Sequence, residues 1–513
     1  MKQLMCFLFL FLYVDVQAMP PTVTGQVFCN GVGIEGVAVS DGVEIVTTDE
    51  DGYYKMNSAK KYGLVWISVP SGYEVGRLKS TPRFFVHLSG EGCETIDFEL
   101  TEVPNDDFTL FVFTDTHIVN DPEFDDVNRF KKLFLSDITQ EISNCQNPTY
   151  SVCLGDMTTD GRWYITGFRL PEWNSLLQDF PIPVYTVMGN HDNDKKGENE
   201  RIERDWDFEA SRLYRETLGP QYYSLNIGQF HFVMLDNIIP IRPFERKDNK
   251  ITSNWLYKIT DEQFAWLEKD LALIPHTTPL VICIHAPVFR YDKNFQVIPA
   301  MVDDSSERLI EMVQSYRSVD IMSGHTHANN NIRIAHNIRE HNQTSVSGVS
   351  WFFTQPETRL MSADGTHGGY QIYTFKGKEL SWIYKINSTS VEESQFMVFD
   401  LNTIPAEFGG EAGSNRVLID VFNWCDGSQL RVCEEGRELM IDRAKIASPL
   451  YQLVRKQELP ARPSSFLGYP SSHMFEVETT NKTSTLEVIF TDPFGRRFTQ
   501  TIERPKEFRW DMK

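Results

Sequence analysis

The sequence lacks an excess of positive charge, and this absence excludes one large class of function. It has 49 lysines and arginines against 71 aspartates and glutamates, so its formal net charge is −22. Proteins that bind the nucleic-acid backbone need a basic surface, because much of their affinity comes from neutralising phosphates. We therefore expect no nucleic-acid partner. An acidic protein can still bind an anionic substrate where bound metal ions reverse the local field.

Cysteine is also scarce, with eight in 513 residues. This excludes a disulfide scaffold, because such scaffolds carry many cysteines in a short chain. Cys153 and Cys283 lie in apolar runs, so we expect them to be buried thiols. Cys425 and Cys433 can pair across a predicted hairpin or stay reduced, and the sequence leaves both possibilities open.

Long apolar runs are absent except at the N-terminus. Lys2 precedes an apolar stretch from Leu4 to Val14 that is too short to span a bilayer. Val16-Gln-Ala18 then offers residues at the spacing of a cleavage site. We predict that residues 1–18 are a signal peptide, that the protein is exported to the periplasm or cell surface, and that it has no transmembrane segment.

The secondary-structure pattern changes twice along a chain that is too long for a single core. Residues 19–102 are strand-rich with Asp-Gly turns, and resemble a small transthyretin-like or carboxypeptidase-regulatory-like β-sandwich. Residues 103–390 alternate strands with helical segments, which predicts a layered α/β core. Residues 391–513 are strand-rich again and predict a second β-rich accessory domain. Within it, Asn423, Trp424 and His473 are expected to pack in the core rather than contact a ligand.

Five apolar strands of the α/β region end in residues that bind metals. The five strand ends are Asp115-Thr-His117, Gly155-Asp156, Gly189-Asn-His-Asp192, His285 and Gly324-His-Thr-His327. Carboxylates and imidazoles are expensive to bury unless they are paired or bind a metal. Because the carboxyl ends of the strands in a doubly wound sheet gather at one rim, we expect these side chains to meet.

Each of these motifs alone has an ordinary structural explanation, since Gly-Asp forms turns and a single histidine is usually a satisfied polar residue. Five of them, each after an apolar strand, favour a metal site. The ligand set of nitrogen and oxygen, without sulfur, favours Mn, Fe or Zn over a structural thiolate site. The glycines before Asp156, Asn190 and His325 are expected to allow sharp turns and close approach.

The order of these motifs resembles that of the calcineurin-like metallophosphoesterases, over about residues 106–390. Three further segments resemble secreted bacterial members of that family: Gly219-Pro-Gln-Tyr-Tyr-Ser224, Phe230-His-Phe-Val-Met-Leu-Asp-Asn237 and Asp364-Gly-Thr-His-Gly-Gly-Tyr370. The whole chain is similar to a three-domain subgroup with distinct N- and C-terminal domains. The resemblance implies a layered αββα core and a metal-dependent phosphoric ester hydrolase. His367 departs from the pattern, because similar sequences often carry proline there; it is either a loop residue or a substrate contact.

The resemblance also implies a role for each motif residue. The first metal ion would be held by Asp115, His117 and His327, the second by Asn190, His285 and His325, and Asp156 would bridge the two. A water or hydroxide between the ions would attack the phosphorus of a phosphomonoester or phosphodiester. The same resemblance implies that His191 stabilises the transition state or protonates the leaving oxygen, with Asp192 as a candidate to orient it.

Two functional questions stay open at the level of sequence. The first is the class of function, because the sequence is also compatible with a cell-surface glycan-binding protein whose metal-bound core is only a scaffold. The substrate of the enzyme is also undetermined. Arg162, Trp163 and Tyr164 follow the Gly-Asp motif and either contact phosphate or a ring, or pack within their own loop.

Overall fold

The computed structural model describes residues 21–200, 205–245, 254–351, 360–458 and 467–512. The predicted signal peptide, residues 1–18, lies outside these ranges. Within them, no helix combines the length and the apolar character needed to cross a membrane.

The N-terminal region consists of short strands, as its turns predict. They are β1 Val23–Cys29, β2 Val32–Gly33, β3 Ala38–Ser40, β4 Ile45–Thr47, β5 Tyr53–Met56, β6 Leu64–Ile67, β7 Tyr73–Val75, β8 Arg77–Leu78, β9 Thr81–Pro82, β10 Phe85–His87, β11 Glu94–Thr95 and β12 Phe98–Glu102. One sheet is built around β1, and a second has the order β10-β6-β3-β4. Asp49, in the turn before β5, accepts hydrogen bonds from the backbone N–H groups of Asp51 and Tyr53, as a turn residue does.

The central region contains most of the helices and two large sheets. Its strands are β13 Asp107–Phe113, β14 Thr149–Cys153, β15 Val184–Thr186, β16 Tyr223–Ile227, β17 Phe230–Leu235, β18 Ile238–Pro240, β19 Trp255–Tyr257, β20 Leu280–Ile284, β21 Phe289–Tyr291, β22 Val297–Pro299, β23 Val319–Ser323, β24 Asn330–Ala335, β25 Ile338–Asn342, β26 Gly369–Lys376 and β27 Glu379–Ile386. Its α-helices are α1 Asp126–Arg129, α2 Ser136–Asn144, α3 Trp163–Thr166, α4 Leu170–Leu176, α5 Trp206–Ala210, α6 Arg212–Thr217, α7 Asp261–Leu271 and α8 Ser305–Val313. A π-helical turn, Phe130–Leu135, joins α1 to α2.

The two large sheets pack face to face with helices outside both, so the predicted αββα layering is confirmed. The alternating side chains of β13 show this directly. Phe108, Leu110 and Val112 point into a core shared with the second sheet. Phe111 and Phe113 point the other way, into a cluster formed with the helices that cover the first sheet. On the second sheet, the outward side chains pack against α7 and α8.

The strands that carry the predicted metal-binding motifs belong to both sheets of the αββα core. The first sheet has the order β15-β14-β13-β26-β27, and the second has the order β16-β17-β20-β23-β25-β24. Strands β13, β14 and β15 are parallel in the first, and β20 and β23 are parallel in the second. The rim at which the motifs meet is therefore shared by two stacked sheets.

The first sheet is completed by residues far along the chain. Strand β13 lies between β14 and β26, and β26 pairs with it in antiparallel register from Asp107 opposite Lys376 to Val112 opposite Gln371. The hairpin β26–β27 then ends the sheet. The strand that positions the first motif is thus central, but one of its two neighbours comes only after the last metal-binding motif.

The described part of the C-terminal region, residues 391–458 and 467–512, contains two four-stranded antiparallel sheets and one α-helix. Its elements are β28 Phe396–Asp400, β29 Arg416–Val421, β30 Gln429–Glu434, β31 Arg437–Glu438, β32 Ile441–Arg443, α9 Pro449–Glu458, β33 Met474–Glu478, β34 Leu486–Thr491 and β35 Arg497–Ile502. The sheets have the orders β28-β29-β33-β32 and β31-β30-β34-β35. Both Cys425 and Cys433 are free thiols, so the disulfide allowed by the sequence is not formed, and Cys153 and Cys283 are buried as predicted.

Buried polar contacts join the C-terminal region to the core. His473 lies between two carboxylates, with Nδ1 2.6 Å from Asp420 of β29 and Nε2 3.2 Å from Asp364 in the loop before β26. All three side chains are buried. Asn423 accepts hydrogen bonds from the core residues Asn331 and Gln371. Neither Asn423 nor His473 is free for a ligand, in agreement with the prediction that they pack.

Candidate metal centre

Donor atoms gather at the shared rim, around Asp115, His117 and His327 on one side and around His285 and His325 on the other, with Asp156 near both and Asn190 bonded to His285. Asp115 and His117 follow β13, Asp156 follows β14, and Asn190 begins a 3-10 turn after β15. From the second sheet, His285 follows β20, while His325 and His327 follow β23. The sequence-predicted ligands are therefore brought together by the ends of five strands.

The first cluster is formed by Asp115, His117 and His327. Nε2 of His327 lies 3.2 Å from Oδ1 of Asp115, and Nε2 of His117 lies 3.6 Å from the same oxygen. The two Nε2 atoms are 3.1 Å apart. Donors about 2.1 Å from one ion at tetrahedral angles lie roughly 3.4 Å from each other, so these three atoms are spaced as ligands of one ion.

The second cluster is formed by Asn190, His285 and His325. Nε2 of His285 lies 3.1 Å from Oδ1 of Asn190 and 3.2 Å from Nδ1 of His325. An imidazole nitrogen and an amide oxygen are both acceptable ligands for Mn, Fe or Zn. These donors thus have the spacing and the chemistry of a second ion site.

Asp156 lies between the clusters and connects them. Its Oδ2 atom is 3.6 Å from Nε2 of His117 in the first cluster and 3.4 Å from Nε2 of His285 in the second. Its Oδ1 atom accepts a hydrogen bond from the backbone N–H of His191 at 2.7 Å, which fixes the carboxylate. A carboxylate in this position can contact two ions at once.

Hydrogen bonds behind the histidines decide which ring nitrogen faces the clusters. Nδ1–H of His285 donates to the carbonyl of Leu154 at 2.7 Å, and Nδ1–H of His327 donates to the carbonyl of Gly348 at 2.7 Å. Each bond leaves a bare Nε2 directed at the cluster. His325 is held the other way round, because its Nε2–H donates to the hydroxyl oxygen of Tyr257 at 2.9 Å and its Nδ1 faces the cluster. Outer partners of this kind orient metal-binding histidines.

One buried atom of these residues, Oδ1 of Asp115, is an acceptor without a hydrogen-bond donor, and this fits a bound ion. Oδ1 of Asp115 is the atom that faces both histidines of the first cluster. A buried carboxylate oxygen without a donor is costly, and a metal ion would satisfy it. The donor set of oxygen and nitrogen therefore fits two ions of the Mn, Fe or Zn type.

The electrostatic surroundings favour the metal-binding protonation state at Asp156 and His325, whereas at His285 the neighbouring Asp156 outweighs burial and raises the pKa to about 10. Burial alone would raise the pKa of the Asp156 carboxyl, but the neighbouring His285 and His191 hold this pKa well below its ordinary value. Burial, reinforced by His285, lowers the pKa of His325 to about 3, so its imidazole stays neutral. Ionised carboxylates and neutral imidazoles are the forms that bind metal ions.

Five of the ligand residues have left-handed backbone conformations that non-glycine residues rarely adopt. Their φ angles are +54° at Asp115, +45° at His117, +51° at Asp156, +67° at His325 and +53° at His327. Such residues cost about 1–3 kcal/mol each and persist only where the surroundings hold them. Here the rim holds them through backbone hydrogen bonds, including Asp115 N–H to the Gly155 carbonyl at 3.0 Å.

The three glycines of the motifs are required chiefly by close approach. A Cβ atom on Gly189 would lie 2.2 Å from the backbone nitrogen of Asp156, and one on Gly324 would lie 2.1 Å from Oγ1 of Thr114. Gly155 combines a φ of +99° with a Cβ position 2.7 Å from Nδ1 of His285. The predicted sharp turn at positive φ thus occurs at Gly155, whereas Gly189 and Gly324 serve to let neighbouring ligands approach.

His191 lies beside the first cluster, and its partner is not the predicted one. Its Nδ1 is 2.6 Å from Oδ1 of Asp160, whose Oδ2 lies 2.5 Å from Nζ of Lys195. Asp192 was expected to orient His191, but its carboxylate accepts the backbone N–H groups of Asp156 and Gly189 instead. Asp192 therefore shapes the backbone that carries the bridging carboxylate, and Asp160 holds the imidazole.

The sequence reasoning missed Asp160, Lys195, Trp255 and Tyr257. Trp255 lies with its ring centroid 5.6 Å from that of His191, under Nζ of Lys195, and its indole N–H donates to the Tyr257 hydroxyl at 2.8 Å. The only available signal was that Asp160 follows Asp156 by four residues. Nothing in the composition around β19 distinguishes Trp255 and Tyr257 from ordinary strand residues.

The residues whose roles were left open are mostly engaged in packing. Arg162 forms an ion pair with Asp121, and the buried Trp163 donates its indole N–H to Thr158 at 2.8 Å. Tyr164 is 56% exposed and donates its hydroxyl to Asp194, so it lies at the surface near the cleft. His367 is buried against Phe422, which favours its interpretation as a loop residue.

Comparison with known families covers most of the chain. A model described as the N terminal of calcineurin-like phosphoesterase matches residues 21–103, the calcineurin-like phosphoesterase model matches residues 108–329, and a model of the C terminal of the same proteins matches residues 340–498. The three matches follow each other in the order of the three predicted domains.

Individual relatives are more distant. Purple acid phosphatase 15 of Arabidopsis thaliana is 28% identical over 167 residues, which are 31% of this chain and 27% of that protein. A probable glycerophosphodiester phosphodiesterase of Arcobacter nitrofigilis is 26% identical over 200 residues, 37% of this chain and 64% of that protein. The chain thus spans less than two thirds of both relatives. A dimetal phosphatase from Danio rerio aligns with 54% of this chain and 98% of its own, at 14% identity and a TM-score of 0.32.

Proposed function

Because the chain belongs to the calcineurin-like phosphoesterases and has their N- and C-terminal domains, we propose that it hydrolyses a phosphomonoester or phosphodiester with two metal ions. One observation carries this proposal. Oδ2 of Asp156 lies within 3.6 Å of a donor nitrogen in each of two separate clusters, His117 in one and His285 in the other. Two ions that share a carboxylate are the arrangement that clamps an in-line phosphoryl displacement.

In this proposal Asp115, His117 and His327 would hold the first ion, Asn190, His285 and His325 would hold the second, and Asp156 would contribute to both. When bound, the ions neutralise charge on the phosphoryl oxygens and make water nucleophilic at neutral pH. The protein's own contribution is to fix the donors. The outer hydrogen bonds to the carbonyls of Leu154 and Gly348 hold two of the imidazoles before any ion arrives.

We assign His191 to protonating or stabilising the leaving group. Asp160 accepts the hydrogen of Nδ1, so the ring orientation is fixed and Nε2 is the nitrogen left for proton transfer. His191 belongs to a donor group with His117 and Asp156, and this closeness to the proposed ligands supports a role beside the substrate's phosphoryl group. An imidazole so placed can donate a proton to the departing oxygen or stabilise its negative charge.

Export is a separate part of the proposal and rests on the sequence of residues 1–18 alone. Expression of the full chain in a bacterial host, followed by mass spectrometry of the mature N-terminus, tests it. A mature protein that begins after Ala18 in the periplasmic or culture fraction supports export. Retention of Met1 in the cytoplasmic fraction contradicts it.

The activity is tested with Mn²⁺-loaded protein on an aryl phosphomonoester and an aryl phosphodiester. We expect close to two ions per chain by elemental analysis, and loss of activity on chelation with recovery on adding Mn²⁺. Asp156→Asn and His285→Ala should each reduce kcat by about 10³-fold or more, because both disturb the shared centre. Asp442→Asn, an exposed carboxylate on β32, is the matched control and should keep wild-type turnover.

Two results would contradict the assignment. Wild-type turnover by Asp156→Asn would show that the centre is not where the reaction occurs. Wild-type protein with two ions but no hydrolysis of any aryl ester would favour the alternative of a glycan-binding protein with a non-catalytic core. Binding to a glycan array would then be the direct measurement.

A further inference from the structure

A cavity of about 390 Å³ lies between the core and the C-terminal region. One wall is the hairpin β21–β22, the floor is the start of β24, and the opposite wall contains Lys445 and residues 469–472. Pockets that bind small organic molecules typically measure about 300–1,000 Å³. The cavity therefore has room for an organic group, and it is formed only where the two regions meet.

The cavity and the metal centre share a loop. Thr326 stands between the ligand residues His325 and His327, is exposed, and lines the cavity. Pro287, which also lines it, follows the ligand His285 by two residues. Consecutive Cα atoms are about 3.8 Å apart, so the cavity begins within one residue of the ion-binding side chains. The proposed ligands do not line the cavity themselves, but its wall and the ligands share these two backbone segments.

The walls offer flat apolar faces. Phe289, Tyr291 and Phe295 come from the hairpin side, and Tyr469 from the C-terminal side. Tyr469 is 40% exposed, so part of its ring is open to solvent. Aromatic side chains on two sides of a cleft suit a ring or sugar placed between them.

The rim of the cavity is positively charged, although the whole chain carries a net charge of −22. Arg290, Lys293 and Lys445 line it, and within the described ranges none of them forms an ion pair with a carboxylate. Of the two acids that line the cavity, Asp292 is partly exposed and accepts the backbone N–H groups of its own turn, and these N–H groups together with Lys293 and Lys445 lower the pKa of its carboxyl. The other, Asp364, is buried and bonded to Asn329, Thr366 and His473.

The rest of this interface is built differently. Arg333 of β24 forms an ion pair with Asp426 of the C-terminal region at 2.7 Å, and Asn331 is bonded to Asn423 at 3.0 Å. Where the core and the C-terminal region are in direct contact, charged and polar side chains are therefore paired across the interface. In the cavity lining, three cations face one partly exposed carboxylate, Asp292, and this excess of positive charge is the pattern expected of a site for an anionic ligand.

We propose that this cavity binds the organic part of the phosphoester substrate, and that this part carries a ring and at least one negative charge in addition to the scissile phosphate. The proposal rests on the proposed phosphoesterase function and adds the substrate class. The ring lies between the aromatic walls, and the second anion lies against Lys445 and Arg290. The C-terminal region thus forms one side of the substrate site.

The test compares two fluorogenic substrates that differ by one charge. One is 4-methylumbelliferyl phosphate, and the other carries a carboxymethyl group in place of the methyl group. We expect the Mn²⁺-loaded wild-type protein to favour the carboxylated substrate in kcat/KM. Lys445→Met and Arg290→Met, on opposite walls, should each lower this preference by about 5- to 10-fold, because each removes a charged contact. Lys456→Met is the control, since Lys456 is an exposed cation on α9 that pairs with Glu407 outside the cavity.

The outcomes separate the two proposals. A drop in preference in either cavity variant, with Lys456→Met unchanged, supports the substrate site. A preference that neither cavity variant alters overturns it while leaving the phosphoesterase assignment intact. If the wild-type protein hydrolyses neither substrate, the phosphoesterase assignment fails, and the cavity is tested by fluorescence titration with 7-hydroxycoumarin-4-acetate. Binding that Lys445→Met weakens then supports an anion-binding cavity, and no binding by wild-type protein overturns it.

Discussion

Asp160 holds His191 through a hydrogen bond of 2.6 Å between Oδ1 and Nδ1, while Asp192, the immediate sequence neighbour of His191, bonds to the backbone under the bridging carboxylate. The two aspartates lie equally deep in the protein, but they act on different parts of the centre. One acts on the imidazole, and the other acts on the chain that carries the metal ligand. Their substitutions should therefore have separable effects.

Asp160→Asn should reduce kcat by about 10- to 100-fold, because His191 loses the carboxylate that fixes its orientation. The metal content should stay near the wild-type value, since Asp160 contacts neither cluster's ligands other than through His191. Steady-state kinetics and elemental analysis on the same preparation check both statements.

Asp192→Asn is the matched comparison. An amide cannot accept all the N–H groups that the carboxylate accepts from Asp156, Met157 and Gly189. We expect this variant to lose metal ions and thermal stability together. Equal metal content in both variants would show that Asp192 has no role in placing Asp156.

Gly189→Ala should disrupt the bridge between the ions. A Cβ there would lie 2.2 Å from the backbone nitrogen and 2.3 Å from Oδ1 of Asp156, so the bridging residue must move. We expect a 10- to 100-fold loss of metal affinity, about the size seen when the supports of a ligand are removed. Gly161→Ala is the control, because a Cβ on Gly161 meets no atom within 4 Å. Chelator competition measures both affinities, and similar values would contradict the prediction.

Tyr257→Phe should weaken the second ion more than the first. The variant removes the hydroxyl oxygen that accepts Nε2–H of His325, so this ring loses the contact that presents Nδ1 to the cluster. A stepwise chelator titration should show one class of ion released about 10- to 100-fold more readily than in the wild-type protein. Tyr164→Phe, which removes an exposed hydroxyl bonded to Asp194, should release both ions as the wild-type protein does.

His473→Gln should destabilise the contact between the C-terminal region and the core. The substitution leaves Asp420 and Asp364 buried without a positive partner, and breaking a buried pair in this way costs about 3–5 kcal/mol. His336→Gln, an exposed histidine after β24, is the control. Thermal unfolding of the three proteins at pH 6 measures the loss, and a His473→Gln curve that matches the control would contradict it.

The contacts of His473 with Asp420 and Asp364 also predict how the stability of the protein changes with pH. Burial alone would lower the pKa of His473, but Asp420 and Asp364 outweigh burial and raise it to about 10. A histidine with a raised pKa in the folded state contributes stability that is complete below its unfolded pKa, about 6.5. That contribution is lost as the pH rises toward 10. The difference in unfolding temperature between wild type and His473→Gln should therefore shrink from pH 6 to pH 10, and a constant difference would contradict the assigned pKa.

The ligand set could be predicted from the sequence because each ligand directly follows an apolar strand. A strand buried on both faces reads as a continuous apolar run, and its carboxyl end marks where a functional side chain emerges. The αββα arrangement itself came from the family resemblance. The apolar runs Leu110–Phe113 of β13 and Leu280–Ile284 of β20 do not indicate which sheet each strand joins.

The misassigned partner of His191 has a geometric cause. Residues 190–192 form a 3-10 turn, in which successive side chains point about 120° apart, so His191 and Asp192 cannot face each other. Asp160 reaches His191 from a separate 3-10 turn, Asp160–Arg162. Contacts between two loops depend on how the loops are placed in space, and spacing along the chain carries no information about that.

The pairing of β13 with β26 determines when the first sheet can be completed during synthesis and folding. During synthesis the first motif emerges early, at Asp115, but the strand that covers the open side of β13 follows only at residues 369–376. Until then β13 is an uncovered apolar edge, the kind of segment that associates wrongly with other chains. A ribosome-bound chain stopped after His327 would contain every proposed ligand and still lack this strand. Folding of the centre is therefore a late event that involves nearly the whole core, and such non-local closure is slow.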